Sequence, residues 1–281
     1  MIDLHCHTTA SDGTLSPEAV VAHAAKSKIS HLAITDHDTT QGVLEAQGAA
    51  CAFNVHLIPA VELSASVAGQ PMDLLGYGID PRHPPLLAAL DEMVRRRQER
   101  IAAIIERLNA QGVPLDQEEV FVQAAGGVVG RPHIARALVA RGFAASVAEA
   151  FERYLKRGRE AYVPKESFTP EEAVGLIVDA GGLPVLAHPG YLKMDDETLG
   201  TLLDRLVAAG LGGIEVYYSQ HTPEDVARFK GMAREWDLVA TGGSDFHGAT
   251  KPHIQLGRGP QGEPLPRELA ENLLAALQKR R

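Results

Sequence analysis

The chain opens with Ile2-Asp3-Leu4-His5-Cys6-His7, a short apolar run that ends in two histidines one residue apart, and this ending decides the fold. Alternate side chains of a strand point to the same side. His5 and His7 therefore project together, whereas Cys6 points the other way and is predicted to be a buried packing residue. A single pair is weak evidence, because a histidine near a strand end is usually just a hydrogen-bonded surface or core residue.

Four later apolar runs end in the same way, with histidine or carboxylate residues. These endings are Asp36-His37, Glu62, His188 and Asp245-Phe246-His247. The first and last strands of a closed barrel are neighbours, so the pairs from the two ends of the chain would meet. Imidazole and carboxylate together suit Zn, Mn or Fe, whereas oxygen ligands alone would suit Mg or Ca. The pattern predicts a multinuclear metal centre at one end of a barrel, and therefore an enzyme.

Short apolar runs alternate with helix-like segments, which is typical of βα units around a parallel sheet. Three helix starts carry an N-cap residue with proline at the first helical position, namely Ser16-Pro17, Thr169-Pro170 and Thr222-Pro223. The predicted strands fit a barrel related to the eight-stranded TIM form. They cover residues 2–7, 31–36, 55–63, 72–78, 183–188, 213–218 and 238–245.

The alternation stops after Asp80 and resumes at Thr169. Helical periodicity over residues 86–108, 131–141 and 145–156 predicts a helical insertion, which we expect to be a cap over the barrel mouth. The predicted domains are a barrel of residues 1–83 and 166–281 and an inserted cap of residues 84–165. The tail, residues 264–281, is predicted to be a helix on the barrel exterior.

Composition indicates an ordinary globular protein, with 281 residues that are 45% hydrophobic and 22% charged. Two cysteines exclude a disulfide framework, and neither a signal-like leader nor a membrane-length apolar run is evident. We expect a cytoplasmic protein with no membrane association and no obligatory protein partner. The net charge of −9 argues against binding nucleic acid through a wholly basic surface, although residues 84–165 carry 13 Lys and Arg against 10 Asp and Glu.

The chain resembles the polymerase and histidinol phosphatase (PHP) family at these residues. The matching motifs occur in the family's order over nearly the whole chain. They are His5-x-His7 with Asp12, Thr35-Asp36-His37, Val61-Glu62-Leu63-Ser64, His188-Pro189 and Asp245-x-His247. The resemblance implies an α/β fold, a distorted seven-stranded (β/α)7 TIM-like barrel, and hydrolysis of phosphoesters at a multinuclear metal site.

The resemblance also implies a ligand set. The residues at the matching positions are His5, His7, Asp12, His37, Glu62, Asp73, His188, Asp245 and His247. Glu62 would bridge two metals. Family members usually have histidine where this chain has Asp73, before Leu74-Leu75-Gly76-Tyr77. Because Asp is a harder and more anionic ligand than imidazole, we expect two to three divalent ions with Mn preferred and with Zn or Fe as alternatives.

One branch of the family is especially similar. The opening His5-Cys6-His7-Thr8-x-x-Ser11-Asp12-Gly13 and the insertion segment Gly130-Arg131-Pro132-His133-Ile134-Ala135 resemble bacterial phosphoesterases active on nucleoside 3′,5′-bisphosphates. Some relatives in this branch are 5′→3′ exoribonucleases that act on short RNA. The resemblance implies a small nucleotide substrate, possibly short RNA, and removal of the 3′-phosphate from adenosine 3′,5′-bisphosphate to leave AMP.

A bisphosphate carries a second dianion away from the metals, and arginine is the best clamp for phosphate. We predict that Arg131 with His133, near Gly126-Gly127, binds this phosphate, with Lys165 as a weaker candidate. The run Arg95-Arg96-Arg97 with Arg100 is more typical of a solvated helix face. The aromatic residues Tyr162, Phe168 and Tyr191 could either stack on a base or simply pack.

The mechanism that we expect is in-line attack on phosphorus by a hydroxide that bridges two metals about 3.5–4 Å apart. Asp12 and His37 would take part as catalytic ligands, and His221 is a candidate acid for the leaving 3′-oxygen. Glu215 is expected to hydrogen-bond behind the ligands. Three alternatives remain open: a 5′→3′ exoribonuclease, a histidinol-phosphate phosphatase, and an accessory metal-binding domain without turnover.

Overall fold

The computed structural model describes residues 1–123, 129–164 and 166–280. The chain divides into two units, one of residues 1–88 and 167–281 and the other of residues 89–166. Within the described ranges, no helix is long and apolar enough to cross a membrane.

Seven strands form one sheet in the first unit, and their spatial order follows the chain from β1 to β7. They are β1 Ile2–Cys6, β2 His31–Ile34, β3 His56–Val67, β4 Gln70–Tyr77, β5 Leu183–Leu186, β6 Gly213–Tyr218 and β7 Val239–Gly243. All seven predicted strands are present. The most apolar parts of these strands are fully buried and face helices on the outside, which is the arrangement of an α/β barrel.

One strand runs against the others, so the expectation of a wholly parallel sheet was wrong. β4 is antiparallel to both β3 and β5, whereas the remaining neighbours are parallel. The reason is the two-residue turn Ala68-Gly69, in which both residues have positive φ, 50° and 75°. Such a turn matches the twist of a tight hairpin and leaves no length for a crossover helix.

The first and last strands meet and nearly close the barrel, as predicted. His7 N donates to Phe246 O at 2.9 Å, and Asp245 N donates to His5 O at 2.8 Å. Glycine permits this approach, because a Cβ on Gly243 would lie 2.1 Å from the Cβ of His5. The structure therefore confirms a distorted seven-stranded α/β barrel.

Three helices of the first unit begin where their caps predicted, namely α1 Pro17–Lys26, α7 Pro170–Asp179 and α9 Pro223–Glu235. The unit also contains α2 Gln41–Phe53, α8 Asp196–Ala209, α10 Glu268–Arg280 and the start of α3 at Pro84. Thr169 and Thr222 both form capping boxes, and Ser16 accepts a hydrogen bond from Ala19 N. The terminal helix α10 packs Leu269, Leu273 and Leu277 onto the barrel core, as expected.

The second unit is built from helices, and no strand occurs among its described residues. It contains most of α3 Pro84–Ala110, α4 Gln117–Val122, α5 Arg131–Ala140, α6 Val147–Ala150 and a π-helical turn Phe151–Leu155. These elements enclose their own core, which includes Ile101, Leu108, Ile134, Leu138 and Leu155. The helix predicted over residues 145–156 is thus split, and α4 was not predicted.

Candidate metal centre

The structure brings all nine candidate ligands together at the carboxyl end of the barrel. They form overlapping groups in which the ligand atoms lie within 4.8 Å of one another. The groups are His7, Asp12, His37 and His247; His5, His7 and Asp245; His5, Glu62 and His188; and His37, Glu62 and Asp73. His7, His5, His37 and Glu62 each belong to two groups, so the groups share ligands as a multinuclear centre requires.

Glu62 lies at the middle of the cluster and is fully buried. Its Oε2 lies 3.3 Å from His5 Nε2, 3.2 Å from His7 Nε2 and 3.2 Å from His37 Nδ1. Its Oε1 lies 3.0 Å from His188 Nε2. A carboxylate whose two oxygens face different imidazoles is suited to bridge two metals.

Asp245 presents its two oxygens to different partners. Oδ1 faces the ligand candidates, 3.2 Å from His7 Nε2 and 3.3 Å from His247 Nδ1. Oδ2 accepts hydrogen bonds from Tyr218 OH at 2.8 Å and from Lys251 Nζ at 2.6 Å. Tyr218 and Lys251 therefore hold the carboxylate so that Oδ1 is left for a metal.

Two buried ring nitrogens fit a metal better than they fit the protein around them. His7 Nε2 and His37 Nδ1 have no hydrogen-bond partner among the described residues, although each lies only 3.2 Å from Glu62 Oε2. Their nitrogens come close to the oxygen without the direction that a hydrogen bond needs. Buried polar atoms are rarely left without a hydrogen bond. Ring nitrogens that lie near a carboxylate oxygen without a hydrogen bond to it are available to bind a metal ion.

The loop that carries Asp12 is organised by Asp36, which points away from the cluster. Its Oδ1 accepts from Thr8 N and Ser11 Oγ, both at 2.7 Å, and its Oδ2 accepts from Thr8 Oγ1 at 2.7 Å. Gly42 makes room for it, since a Cβ there would lie 1.9 Å from Asp36 Oδ2. The loop thereby brings Asp12 Oδ1 to 3.2 Å from His247 Nε2.

Glu215 supports two ligand candidates from behind, in agreement with its expected role. His5 Nδ1 donates to Glu215 Oε1 at 3.0 Å, and the backbone N of His188 donates to Glu215 Oε2 at 2.8 Å. The first bond leaves His5 Nε2 for the metal side. The second holds His188 in a backbone conformation with positive φ, which an unsupported residue rarely adopts.

Asp3 is a functional position that the sequence analysis missed. It is fully buried, and burial raises its pKa. Its Oδ1 accepts from Ser244 N at 3.0 Å and from His5 N at 3.1 Å, and its Oδ2 accepts from Gly257 N at 2.7 Å. Asp3 thus joins β1 to the end of β7. The available signal was a charged residue inside an otherwise apolar strand.

Opposite charges shift the pKa values of the cluster in opposite directions. Burial alone would lower the pKa of His7, but close contacts with Asp245 and Glu62 outweigh it and raise the pKa to about 10. Burial would raise the pKa of Glu62, but His37 and His5 hold it well below its ordinary value. At pH 7 His7 is therefore protonated beside ionised Glu62 and Asp245, and a divalent cation that binds there can replace the proton.

His221 lies in an environment that does not favour the acid role proposed from the sequence. The residue is only 5% exposed, and its Nδ1 donates to Val216 O at 2.9 Å. Its Nε2 accepts from Gly190 N at 3.4 Å, and its ring packs on Phe229. Both nitrogens are engaged, so a structural role accounts for His221.

The candidates for a phosphate clamp lie in the second unit. Arg131 Nη1 donates to Leu155 O at 3.1 Å, and the guanidinium carbon lies 5.7 Å from the ring centroids of Phe151 and Tyr162. His133 Nδ1 accepts from Gly130 N at 2.8 Å and so caps α5. Lys165 and the Gly126-Gly127 pair lie outside the described residues.

Arg100 does not belong to the solvated helix face to which the sequence analysis assigned it. Arg95 and Arg96 do pair with Glu92 on the surface. Arg100, in contrast, is half-buried, its Nε donates to Val163 O at 2.9 Å, and its Nη2 is buried with no hydrogen-bond partner among the described residues. Burial and the neighbouring charge of Arg131 lower its pKa to about 10.

Comparison with known proteins decides the family. The profile of the PHP domain matches residues 3–163, more than half of the chain. The chain belongs to the PHP family. The 5′-3′ exoribonuclease Rnm of Escherichia coli strain K12 is 39% identical over 91% of this chain and 88% of its own length. The 3′,5′-nucleoside bisphosphate phosphatase of Chromobacterium violaceum is 35% identical over 98% of this chain and 97% of its own length.

A solved structure extends the match to three dimensions. A protein from Bifidobacterium adolescentis, to which metal-dependent phosphoesterase activity is ascribed, superposes with a TM-score of 0.83 at 32% identity. The superposition covers 97% of this chain and 95% of that one. The match thus extends over residues of both units.

Proposed function

We propose that this PHP protein is a metal-dependent phosphoesterase that removes the 3′-phosphate of nucleoside 3′,5′-bisphosphates, converting adenosine 3′,5′-bisphosphate to AMP and phosphate. One observation carries the proposal: nine imidazole and carboxylate ligand candidates converge around buried Glu62, two of them with unpartnered ring nitrogens. The relative from C. violaceum, which is matched over nearly its full length, supports the substrate.

The donor set is suited to two or three divalent ions, with Mn favoured over Zn or Fe. Four carboxylates and five imidazoles make up the groups. Two divalent cations would cancel the carboxylate charges, and a third would leave a net charge of +2 to attract a phosphate dianion. Carboxylate at Asp73, in place of a further imidazole, favours Mn. Bound there, such ions lower the pKa of water and neutralise charge on phosphate oxygens.

Other residues orient the ligand side chains, and two of the ligand candidates are open to solvent. Glu215, Tyr218 and Lys251 hold ligand side chains in orientation through the hydrogen bonds described above. Among the ligand candidates, Asp12 and His37 have the most exposed side chains, with exposed fractions of 49% and 28%. We assign these two the positions that face the incoming phosphate and the attacking water.

A second phosphate needs a cationic clamp of its own. We propose Arg131 for this role, together with His133 of the same helix and with Lys165, and we add Arg100. Arg100 is half-buried, its Nη2 has no hydrogen-bond partner among the described residues, and burial and the charge of Arg131 lower its pKa, so a bound anion would stabilise it. Arg100→Ala and Arg131→Ala should each raise KM for the bisphosphate while leaving turnover of a simple monophosphate unchanged.

The experiment that tests the function compares three substrates on the Mn-loaded protein. Phosphate release is measured from adenosine 3′,5′-bisphosphate, from histidinol phosphate and from a 5′-phosphorylated RNA oligomer. The proposal predicts the highest kcat/KM for the bisphosphate. Preference for histidinol phosphate, or no activity on any of the three, would contradict it. A Glu62→Gln variant serves as the inactive control.

A second candidate function, 5′→3′ exoribonuclease activity, is favoured by a basic cavity. The cavity, of about 710 Å³, is lined in part by His23, Lys26, Lys28 and Arg258, and no described lining residue is acidic. Its lining also includes Phe246, which stands in the sequence between the ligand candidates Asp245 and His247. A polyanion could follow this surface towards the metal centre, and the E. coli relative is named as such an exoribonuclease.

The salt dependence of turnover distinguishes the exoribonuclease from the bisphosphate phosphatase. Binding along several phosphates releases counterions, so RNA turnover would fall steeply with salt, whereas turnover of a mononucleotide would fall little. Joint replacement of Lys26 and Lys28 by Glu should reduce kcat/KM for RNA alone. Equal rates for RNA in the charge-reversed and unaltered proteins would show that RNA does not bind along this cavity.

A further inference from the structure

An exposed aromatic ring lies beside the metal centre. Tyr191 belongs to the short 3₁₀ turn Pro189–Leu192, which directly follows the ligand candidate His188. The residue is 50% exposed, although it is large and apolar. Its ring centroid lies 5.1 Å from that of His188 and 5.5 Å from that of Tyr218. An aromatic face is therefore open to solvent next to the place where a phosphate would react.

Hydrogen bonds hold this ring in a fixed orientation. The hydroxyl of Tyr191 is 2.9 Å from Tyr218 OH and 2.9 Å from Gln220 Oε1. Tyr218 OH in turn donates to Asp245 Oδ2 at 2.8 Å. Because Tyr218 gives its one hydroxyl proton to Asp245, Tyr191 donates its own to Tyr218, and a chain of two hydrogen bonds ties the ring to a ligand candidate. A surface that is ordered before binding loses little conformational entropy when a ligand settles on it.

The other two aromatic candidates are engaged elsewhere. The ring of Tyr162 faces the Arg131 guanidinium. Phe168 is half-buried, and its backbone forms a bridge with Ala65. Tyr191 is the one of these three that combines exposure with a position beside the ligand candidates. The exposed amide of Gln220 lies next to it, and an amide can pair with the edge of a purine.

We propose that Tyr191 and Gln220 form a nucleobase platform, on which the base of the substrate stacks while its 3′-phosphate reaches the metal centre. With such a platform, the protein would select phosphates of nucleosides, whose bases are aromatic, over sugar or alkyl phosphates. This proposal rests on the proposed function for its substrate, but it concerns binding, which can be measured without turnover.

The test uses the full-length, Mn-loaded protein and two ligands that differ only in the base, AMP and ribose 5-phosphate. Dissociation constants are measured by calorimetry for the unaltered protein and for Tyr191→Ala, Tyr191→Phe and Tyr191→Leu. Phe53→Ala is the matched control, because Phe53 is equally exposed at 51% but ends α2, which leads to the opposite end of the barrel. Thermal unfolding verifies that every variant is folded.

The platform predicts that AMP binds more tightly than ribose 5-phosphate and that Tyr191→Ala weakens AMP binding by about fivefold to a hundredfold. Ribose 5-phosphate binding should not change. Tyr191→Phe should retain most of the preference, Tyr191→Leu should lose most of it, and Phe53→Ala should have no effect. With adenosine 3′,5′-bisphosphate, Tyr191→Ala should raise KM by a similar factor and change kcat by less than about twofold.

Three results would overturn the platform: no preference for AMP in the unaltered protein, an unchanged preference in Tyr191→Ala, or equal weakening of both ligands. The last would indicate a structural role for Tyr191. If the protein fails to hydrolyse the bisphosphate but Tyr191→Ala still removes its preference for AMP, the platform stands and the proposed reaction is wrong.

Discussion

Single residues shape the metal centre even when they are not ligand candidates themselves, and Glu215 is an example. It ligates nothing, yet one oxygen accepts from His5 Nδ1 and the other from the backbone of His188. Outer partners of this kind fix the ring orientation and the tautomer of a ligating histidine. The sequence predicted this role because Glu215 lies within an apolar strand of the barrel. The equivalent role of Asp3 was not predicted, although Asp3 is likewise a charged residue within an apolar strand, because its partners Ser244 and Gly257 are more than 200 residues away in the chain.

Replacement of Glu215 by Gln should weaken metal binding without unfolding the protein. The amide presents a donor to one of two groups that are themselves donors, so His5 or His188 loses its support. We expect the affinity for the most affected metal to fall by about ten- to a hundredfold. Competition with a chromogenic chelator measures this. Unchanged metal affinity would show that the hydrogen bonds of Glu215 do not orient the ligands.

The raised pKa of His7 predicts that metal binding releases protons. Its folded pKa is about 10, above the ordinary 6.5, so the metal-free ring is protonated at pH 7 and must lose its proton to ligate. Metal affinity should therefore increase with pH, by up to about tenfold per unit for each proton displaced. Calorimetry in buffers of different ionisation enthalpy counts the protons. Release of none at pH 7 would contradict the shift.

The same shift predicts how the metal-free protein responds to pH. A raised histidine pKa stabilises the folded state fully below the unfolded value of 6.5, and that contribution is lost as pH rises towards about 10. The thermal midpoint of the chelated protein should therefore decrease over this interval, whereas that of the metal-loaded protein should not. Parallel decreases in both forms would argue against His7 as the source.

At the scale of elements, helices were easier to predict than strand direction. The caps Ser16, Thr169 and Thr222 act within one turn, so local sequence was sufficient. The direction of β4 depends on Ala68-Gly69, which is a weak turn signal because alanine seldom adopts positive φ. α4 escaped prediction because it has only six residues and is held by the capping box of Asp116.

Closure of the barrel predicts that Gly243 cannot be replaced. A Cβ at this position would lie 2.1 Å from the Cβ of His5, so Gly243→Ala must separate β1 from β7. We expect a loss of about 1–3 kcal/mol or more in the free energy of unfolding, together with loss of metal binding.

The matched control for Gly243 is Gly231→Ala in α9. A Cβ at Gly231 would meet nothing within 4 Å. Because glycine inside a helix is destabilising relative to alanine, the variant should be more stable by about 0.5–1 kcal/mol. Chemical denaturation compares the two variants. A neutral Gly243→Ala would show that the strands can move apart at little cost.

At the scale of the whole molecule, the sequence predicted the convergence of the ligand candidates better than it predicted the surroundings of the proposed substrate-binding residues. The ligand candidates recur at strand ends, and barrel topology alone gathers such residues at one rim. The contacts of Arg100 could not be predicted, because its burial depends on packing between helices that are distant in sequence. The exposure of Tyr191 likewise depends on tertiary structure, since the same residue in another turn would pack inward.

The identity of the product is the sharpest test of the proposed function. Mn-loaded protein is incubated with adenosine 3′,5′-bisphosphate, and the products are identified by phosphorus NMR. The proposed reaction yields 5′-AMP and inorganic phosphate, with no product after metal removal and recovery when Mn is restored. Formation of 3′-AMP, or hydrolysis that persists without metal, would contradict the assignment of the 3′-phosphate to the centre around Glu62.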